Sequence, residues 1–209
     1  LVYPDNETGK VDRSAALEVL KSYKLVPVSE EVLNPGALDA SSQIMRLKKG
    51  GISHIIFCGG IPQIAAVFLR ESKKYGLNIP VLGSWATCAE EVIRLARGAA
   101  KRFYAVNHMS SWYDDEPGVA KMRKITLKYD PGTEKPYRGN IYTHGWVLGL
   151  VTVESLKRAG RVLDRETYIN VLEGIKNFDT GGLCGPISYS TTSHEGGNTW
   201  KIFKGRAGY

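Results

Sequence analysis

The strongest constraint in this chain is a rhythm: through residue 108, short apolar runs alternate with amphipathic stretches. Residues 1–3, 25–33, 54–58, 79–82 and 103–106 read as strands, each bounded by turn-forming or polar residues such as Asn34-Pro35-Gly36. Between them the spacing predicts four helices. The first covers about 10–23, with Ala16, Leu20 and Tyr23 at helical intervals; the second follows Asp39, Ser41 and Ser42, with Ile44 and Leu47 turned inward. A third runs over 62–75, with Pro62 in its first turn and Gly76 as its stop, and a fourth over 89–96. Five strands alternating with four helices imply a parallel sheet with helices on both faces. The run His54-Ile55-Ile56-Phe57-Cys58 is continuous enough to predict a strand buried on both sides.

After Asn107 the rhythm breaks. Residues 118–129, 139–159 and 164–176 are helix candidates, followed by a loop over 178–186 and two short strand candidates, 187–189 and 200–203. Three helices without a strand between them lack the sheet on which such a layer normally rests. At 209 residues, 43% hydrophobic and 23% charged, the chain can build one large or two small domains, and its composition excludes disorder and a disulfide-stapled miniprotein. The longest mostly apolar stretch, 146–153, is far short of the roughly 20 residues a membrane-spanning helix needs. The chain opens on Leu1-Val2-Tyr3-Pro4, with no initiator Met, basic leader or apolar signal core, and reads as entered partway through a strand.

The net charge of +7 raises the question of nucleic acid. It is spread evenly, with 14 Lys/Arg against 10 Asp/Glu in residues 1–108 and 14 against 11 in the remainder. Nucleic-acid binders concentrate their cations, whereas the basic pairs here sit at predicted helix ends or beside strands, so no nucleic-acid partner is expected.

In an open parallel sheet, ligands bind beyond the carboxyl ends of the strands, where loops and helix N-termini converge. That rule selects Asp5, Asn6 and Thr8 after the first strand, and Cys58, Gly59 and Gly60 after the third. It also selects Ser84 and Trp85 after the fourth, and Asn107, His108 and Met109 after the fifth. Glycines there admit a ligand to the backbone, and Trp85 supplies an apolar wall unless it plugs the core. Enzyme signatures are lacking: there is no nucleophile elbow, phosphate loop or dinucleotide fingerprint. The four histidines lack metal-ligand spacing, and neither a metal nor a cofactor is expected. Cys58, Cys88 and Cys184 form no Cys-x-x-Cys pair; Cys58 and Cys88 follow neighbouring strands and could pair or remain small buried hydrophobes.

Several stretches together carry a family resemblance. They are Tyr3-Pro4-Asp5-Asn6-Glu7-Thr8-Gly9, Asn34-Pro35-Gly36 with Asp39, Ser41 and Ser42, Ile79-Pro80-Val81-Leu82-Gly83, Tyr142-Thr143-His144-Gly145-Trp146, Glu154-Ser155-Leu156-Lys157-Arg158-Ala159-Gly160, and Phe178-Asp179-Thr180-Gly181-Gly182. In this order along all 209 residues they resemble type I periplasmic solute-binding proteins, most of all the branched-chain amino acid class that serves ABC importers.

The resemblance implies two α/β lobes joined by three crossings, solute held in the cleft, and a permease as partner. Residues 1–108 and 187–209 would form lobe two, 109–112 a hinge crossing, and 113–186 part of lobe one with the return crossing. The amino-terminal half of lobe one, which in relatives holds the ligand carboxylate, has no counterpart here. The chain would belong to an extracytoplasmic protein, periplasmic or extracellular and open to lipid anchoring, with no catalytic role.

Where relatives carry an aromatic residue before the first turn glycine, this chain has Thr8. Where many carry an acidic residue for the ligand ammonium, it has Trp85, and Trp146 aligns with an aromatic facing the cleft from lobe one. These departures imply a more apolar site, for a hydrophobic or branched-chain amino acid or an aromatic acid, with Asp5 or Asn6 taking the ammonium of an amino acid. The alternatives are a regulator's effector-sensing domain and a small α/β hydrolase using Cys58 or Asp5 as nucleophile.

Overall fold

The computed structural model describes residues 1–132, 138–161 and 163–206. Its described chain forms two compact units, residues 1–107 with the segment from Ile202, and residues 108–201.

The first unit is the expected α/β layer. Six strands, β1 (Val2–Pro4), β2 (Glu31–Leu33), β3 (Ile55–Phe57), β4 (Val81–Gly83), β5 (Phe103–Asn107) and β6 (Lys201–Lys204), form one sheet in the order β2-β1-β3-β4-β5-β6. The pairs β1–β2, β1–β3, β3–β4 and β4–β5 are all parallel. Four helices alternate with the first five strands: α1 (Glu7–Ser22), α2 (Ser41–Lys49), α3 (Pro62–Lys74) and α4 (Glu90–Ala96). Helix α3 shows the sequence logic plainly. Pro62 occupies its first turn, where a missing N–H costs nothing, and Ile64 through Leu69 are all buried in the core. That core joins α2, α3 and α4 to one face of the sheet through Val2, Leu33, Phe57 and Phe103, with the Phe57 and Phe68 rings 5.6 Å apart.

The two faces of the sheet are not equivalent. Side chains alternate across it, and the other face carries Val32 and Leu82, which remain 42% and 40% exposed. Helix α1 reaches this side with the Arg13 guanidinium 5.6 Å above the Tyr3 ring, but Gly9 is its one buried residue. The expectation that β3 is buried on both faces therefore fails at Ile56, which is half-buried. The strand predicted over 25–33 shrinks to Glu31–Leu33, because Pro27 has no N–H to pair and Val26 and Val28 stand in solvent. Buried Glu31 is tolerated in β2 because Arg46 of α2 grips its carboxylate with both Nε and Nη2. Helix α1 begins at Glu7, three residues before its predicted start, because Asn6 caps it.

The second unit holds α5 (Pro117–Tyr129), α6 (Asn140–Ala159) and α7 (Arg165–Glu173) around a smaller core of Trp112, Val119, Met122, Val151, Ile175 and Leu183. Helix α7 ends at Glu173, before the predicted 176, and Ile175 enters this core from beyond its end. The predicted strand over 187–189 reduces to a single antiparallel bridge between Phe178 and Ile187, joined by two backbone hydrogen bonds of 2.8 and 3.0 Å. No helix among the described residues is long and apolar enough to cross a membrane.

Candidate functional site

The strand order places a topological switch point between β1 and β3: the chain leaves β1 towards β2 on one side and resumes at β3 on the other. The crevice outside the carboxyl ends at such a point is where open α/β sheets take ligands. Here the loops after β1, β3 and β4 are drawn together at that crevice.

After β1, Asn6 adopts extended backbone and its side-chain oxygen accepts the Gly9 N–H at 2.8 Å, capping α1. Gly9 is required by contact, since a Cβ there would lie 2.2 Å from the Pro4 carbonyl oxygen. Gly59, after β3, has φ +80° and lies so close to Gly9 that a Cβ would meet its Cα at 2.8 Å. The Gly59 N–H donates to Asp12 Oδ2 at 2.8 Å, and its carbonyl accepts the Ser84 hydroxyl at 3.2 Å. Gly60 packs on Ala86, and Thr87 returns a hydroxyl bond of 2.9 Å to the Ser84 carbonyl. The result is a rim in which Asn6, Gly59, Gly60 and Ser84 are fixed relative to one another.

Three helices begin at this rim, and they differ in charge chemistry. Helix α1 is capped by Asn6, and α4 carries Glu90 and Glu91 in its first turn. Helix α3 starts after Gly60 with Ile61 at its cap and neither a side-chain cap nor an acidic residue. A bare helix N-terminus of this length attracts a carboxylate. Trp85 opens a short 3-10 turn, Trp85–Thr87, and is 40% exposed, so it does not plug the core. Thr8 is exposed in the first turn of α1, and Asp5 is exposed and ion-paired to Lys10 at 3.0 Å.

Cys58 stands apart from its neighbours in the loop. It is 3% exposed, its N–H donates to the Val2 carbonyl, and burial pushes its thiol up to about 11, which removes it as a ready nucleophile. No disulfide joins Cys58 to Cys88, so that pairing does not form. Among the described residues no group of three or more His, Cys, Asp or Glu could hold a metal ion.

The remaining predicted residues lie elsewhere. Asn107 ends β5 and is buried in the first unit. His108, Met109 and Trp146 belong to the second unit. There Met109 bridges Cys184, and half-buried Trp146 of α6 packs on the core. The His108 ring meets the His144 ring edge-on at 4.6 Å and the Trp200 ring at 5.2 Å. Burial lowers both imidazoles, and the neighbouring His108 lowers His144 further. Lys201 donates to the Ser110 hydroxyl at 2.6 Å, near Asp114 and Glu116.

Asp12, Thr87, His144 and Lys201 were not among the predicted site residues. Asp12 carried one usable signal, an acidic residue one helical turn beyond the glycine that α1 presses against β1; the others carried none.

In sequence, residues 1–209 match the periplasmic binding protein family. No curated protein matches the chain. Among solved structures, a branched-chain amino acid ABC transporter protein from Thermus thermophilus with bound valine superposes with a TM-score of 0.85 at 21% identity, covering 99% of this chain and 56% of that one. A fatty acid ABC transporter substrate-binding protein from Thermomonospora curvata gives 0.77 at 22%, covering 99% and 52%. A leucine-binding protein from Thermotoga maritima gives 0.73 at 15%, covering 96% and 56%. The chain thus spans about half the length of the solved proteins it matches. The parallel sheet with its switch-point rim and the match along all 209 residues have one consequence: the chain belongs to the periplasmic binding protein family.

Proposed function

We propose that this chain is part of an extracytoplasmic, non-catalytic solute-binding receptor of an ABC importer, and that its rim takes a small solute with a carboxylate and an apolar body. The observation that carries the reading is the pairing, on one rigid rim, of an uncapped α3 N-terminus with the exposed Trp85. The helix end attracts the carboxylate through its dipole and the Gln63 N–H, since Pro62 has no N–H and Ile64 donates to the Ile61 carbonyl, and the indole covers apolar surface. Gly59 and Gly60 let their loop pack against Gly9, Pro4 and Ala86, which fixes the rim that the solute meets. Valine, bound in one similar protein, and the leucine and fatty acid for which two others are named share this chemistry of a carboxylate on an apolar body. Asp5 and Asn6 stand beside the rim for an ammonium group; residues 109–112 act as the hinge crossing, and Trp146 supplies an aromatic wall from the segment 113–186. The permease is the protein partner.

Heteronuclear NMR of the 209-residue chain tests this reading. Titration with leucine, phenylalanine and benzoate is expected to move the amides of Asn6, Gly60 and Gln63 and the Trp85 indole N–H. Trp85→Ala is expected to weaken benzoate about tenfold, the equivalent of roughly 1.4 kcal/mol of lost apolar contact. Shifts confined to other residues, or an unchanged affinity in Trp85→Ala, would overturn the assignment.

A further inference from the structure

At the opposite edge of the first unit, beside the amino ends of β4 and β5, lies a concavity of about 350 Å³. That is the lower end of the roughly 300–1,000 Å³ range of small-molecule sites. Its floor is apolar, made by the buried side chains of Leu69, Leu77 and Val81. Its rim is cationic, with Lys73 from the last turn of α3 and Lys101 and Arg102 from the short turn before β5, and no Asp or Glu lines it.

Two further observations point to a ligand. Ser72 lines the same concavity, is 5% exposed, and its hydroxyl has no hydrogen-bond partner. A buried hydroxyl left unpaired is costly; this one is closed to solvent, so a ligand oxygen satisfies it only when the basin floor opens to admit it. Second, none of the three rim cations has a carboxylate partner among the described residues, although the adjacent Lys74 is paired to Glu71 at 3.2 Å. A cation at the end of α3 alone would be explained by the helix dipole. Here two of the three cations come from a different segment and converge on the same space. The α3 terminus itself is already quieted: Leu77 N–H donates to the Ser72 carbonyl and Lys48 Nζ to the Tyr75 carbonyl.

We propose that this basin binds a small amphiphilic anion, its phosphate or carboxylate head held by Lys73, Lys101 and Arg102 and its apolar body seated on Leu69, Leu77 and Val81. Such a head occurs on soluble organic acids and organophosphates and on anionic phospholipids. The site is separate in the sheet from the switch-point rim, and it stands whether or not the importer reading does.

The probe is hexyl phosphate, titrated into the isotope-labelled 209-residue chain. The amides of Ser72, Asn78, Gly98 and Arg102 are expected to shift together along one binding curve. The double variant Lys73→Gln/Arg102→Gln, both positions exposed and safe for folding, should weaken the probe at least about tenfold, as expected for lost charge-assisted hydrogen bonds. Ser72→Ala should weaken it several-fold while raising the melting temperature, an opposition that a merely structural serine would not produce. Inorganic phosphate should bind more weakly than hexyl phosphate, for want of the apolar body. Co-sedimentation with phosphatidylglycerol vesicles, lost in the double variant, would assign the head to a lipid; hexyl phosphate binding without vesicle binding would assign it to a soluble ligand. Shifts at Asn6, Gly59 and Ser84 instead of the basin, equal affinity in the double variant, or equal affinity for inorganic phosphate would each overturn the proposal.

Discussion

The two units solve the problem of order with different means. In residues 1–107 the backbone is held by a parallel sheet, and one continuous core ties three helices to one face of it. In residues 108–201 no multi-residue strand pairing forms among the described residues, and the loops are held by isolated bridges, Met109 with Cys184 and Phe178 with Ile187. There side chains take over what a ladder does in the first unit. Arg123 donates to the Trp112 and Asp114 carbonyls, Thr180 to the Cys184 carbonyl, and Lys201 to Ser110. The lesson is that a sheet makes loop geometry a by-product of strand register, whereas a helical unit must specify its loops residue by residue.

The contrast can be broken first in the larger core. Phe68→Ala removes a fully buried ring that contacts Phe57 and is expected to cost about 3–5 kcal/mol in denaturant unfolding. Hydrogen exchange should rise across β1, β3 and β4 while the amides of α5 and α6 stay protected; a uniform rise would show that the two cores unfold as one. Next comes the rim. Gly9→Ala places a Cβ against backbone that has nowhere to go, the Pro4 carbonyl at 2.2 Å, with an expected loss of about 2–3 kcal/mol. It should also broaden the NMR signals of Gly59 and Ser84, and an unperturbed Gly59 would mean that the rim is not locked as described.

The smallest effect is a pH dependence confined to the second unit. Both His108 and His144 have native pKa values below the ordinary 6.5, so the unfolded chain takes up protons first as pH falls. Stability is therefore full above about pH 6.5 and declines as pH drops from there through the lowered native values. Exchange protection of α6 amides should fall over that window while β1 and β3 hold. His144→Phe should flatten the slope, and a slope of equal size in both units would remove the imidazole pair as its cause.

The first unit was legible because its signals are local and repeated. Pro62 and Gly76 bracket α3, Asn34-Pro35-Gly36 ends β2, and the core residues Ile44, Leu47 and Phe57 fall where periodicity puts them. Misreadings came where local and tertiary preferences part. Residues 25–30 have strand-like composition, but Pro27, which has no N–H, and the solvent-facing Val26 and Val28 leave them outside the sheet. Residues 187–189 alternate like a strand and find a single bridge. At the rim, the rule for carboxyl ends of strands selected Asn6, Gly59, Gly60 and Ser84, which the structure joins, and also Cys58, whose side chain it buries. Asp12 and Thr87 hold that rim through hydrogen bonds to residues 47 and 3 positions away, and no periodic pattern announces such a bond.

By itself, then, the sequence determined the alternation of strands and helices, the caps and stops, and the positions from which a parallel sheet offers its loops, because all of these follow from steric and hydrogen-bonding preferences within a few residues. Only the tertiary structure decided that β1 and β3 adjoin, that Gly9 and Gly59 touch, that the sheet has one open face, and that Lys73, Lys101 and Arg102 share a basin with an unpaired hydroxyl. These depend on register and burial between segments distant along the chain, where many pairings satisfy the local pattern and packing selects among them.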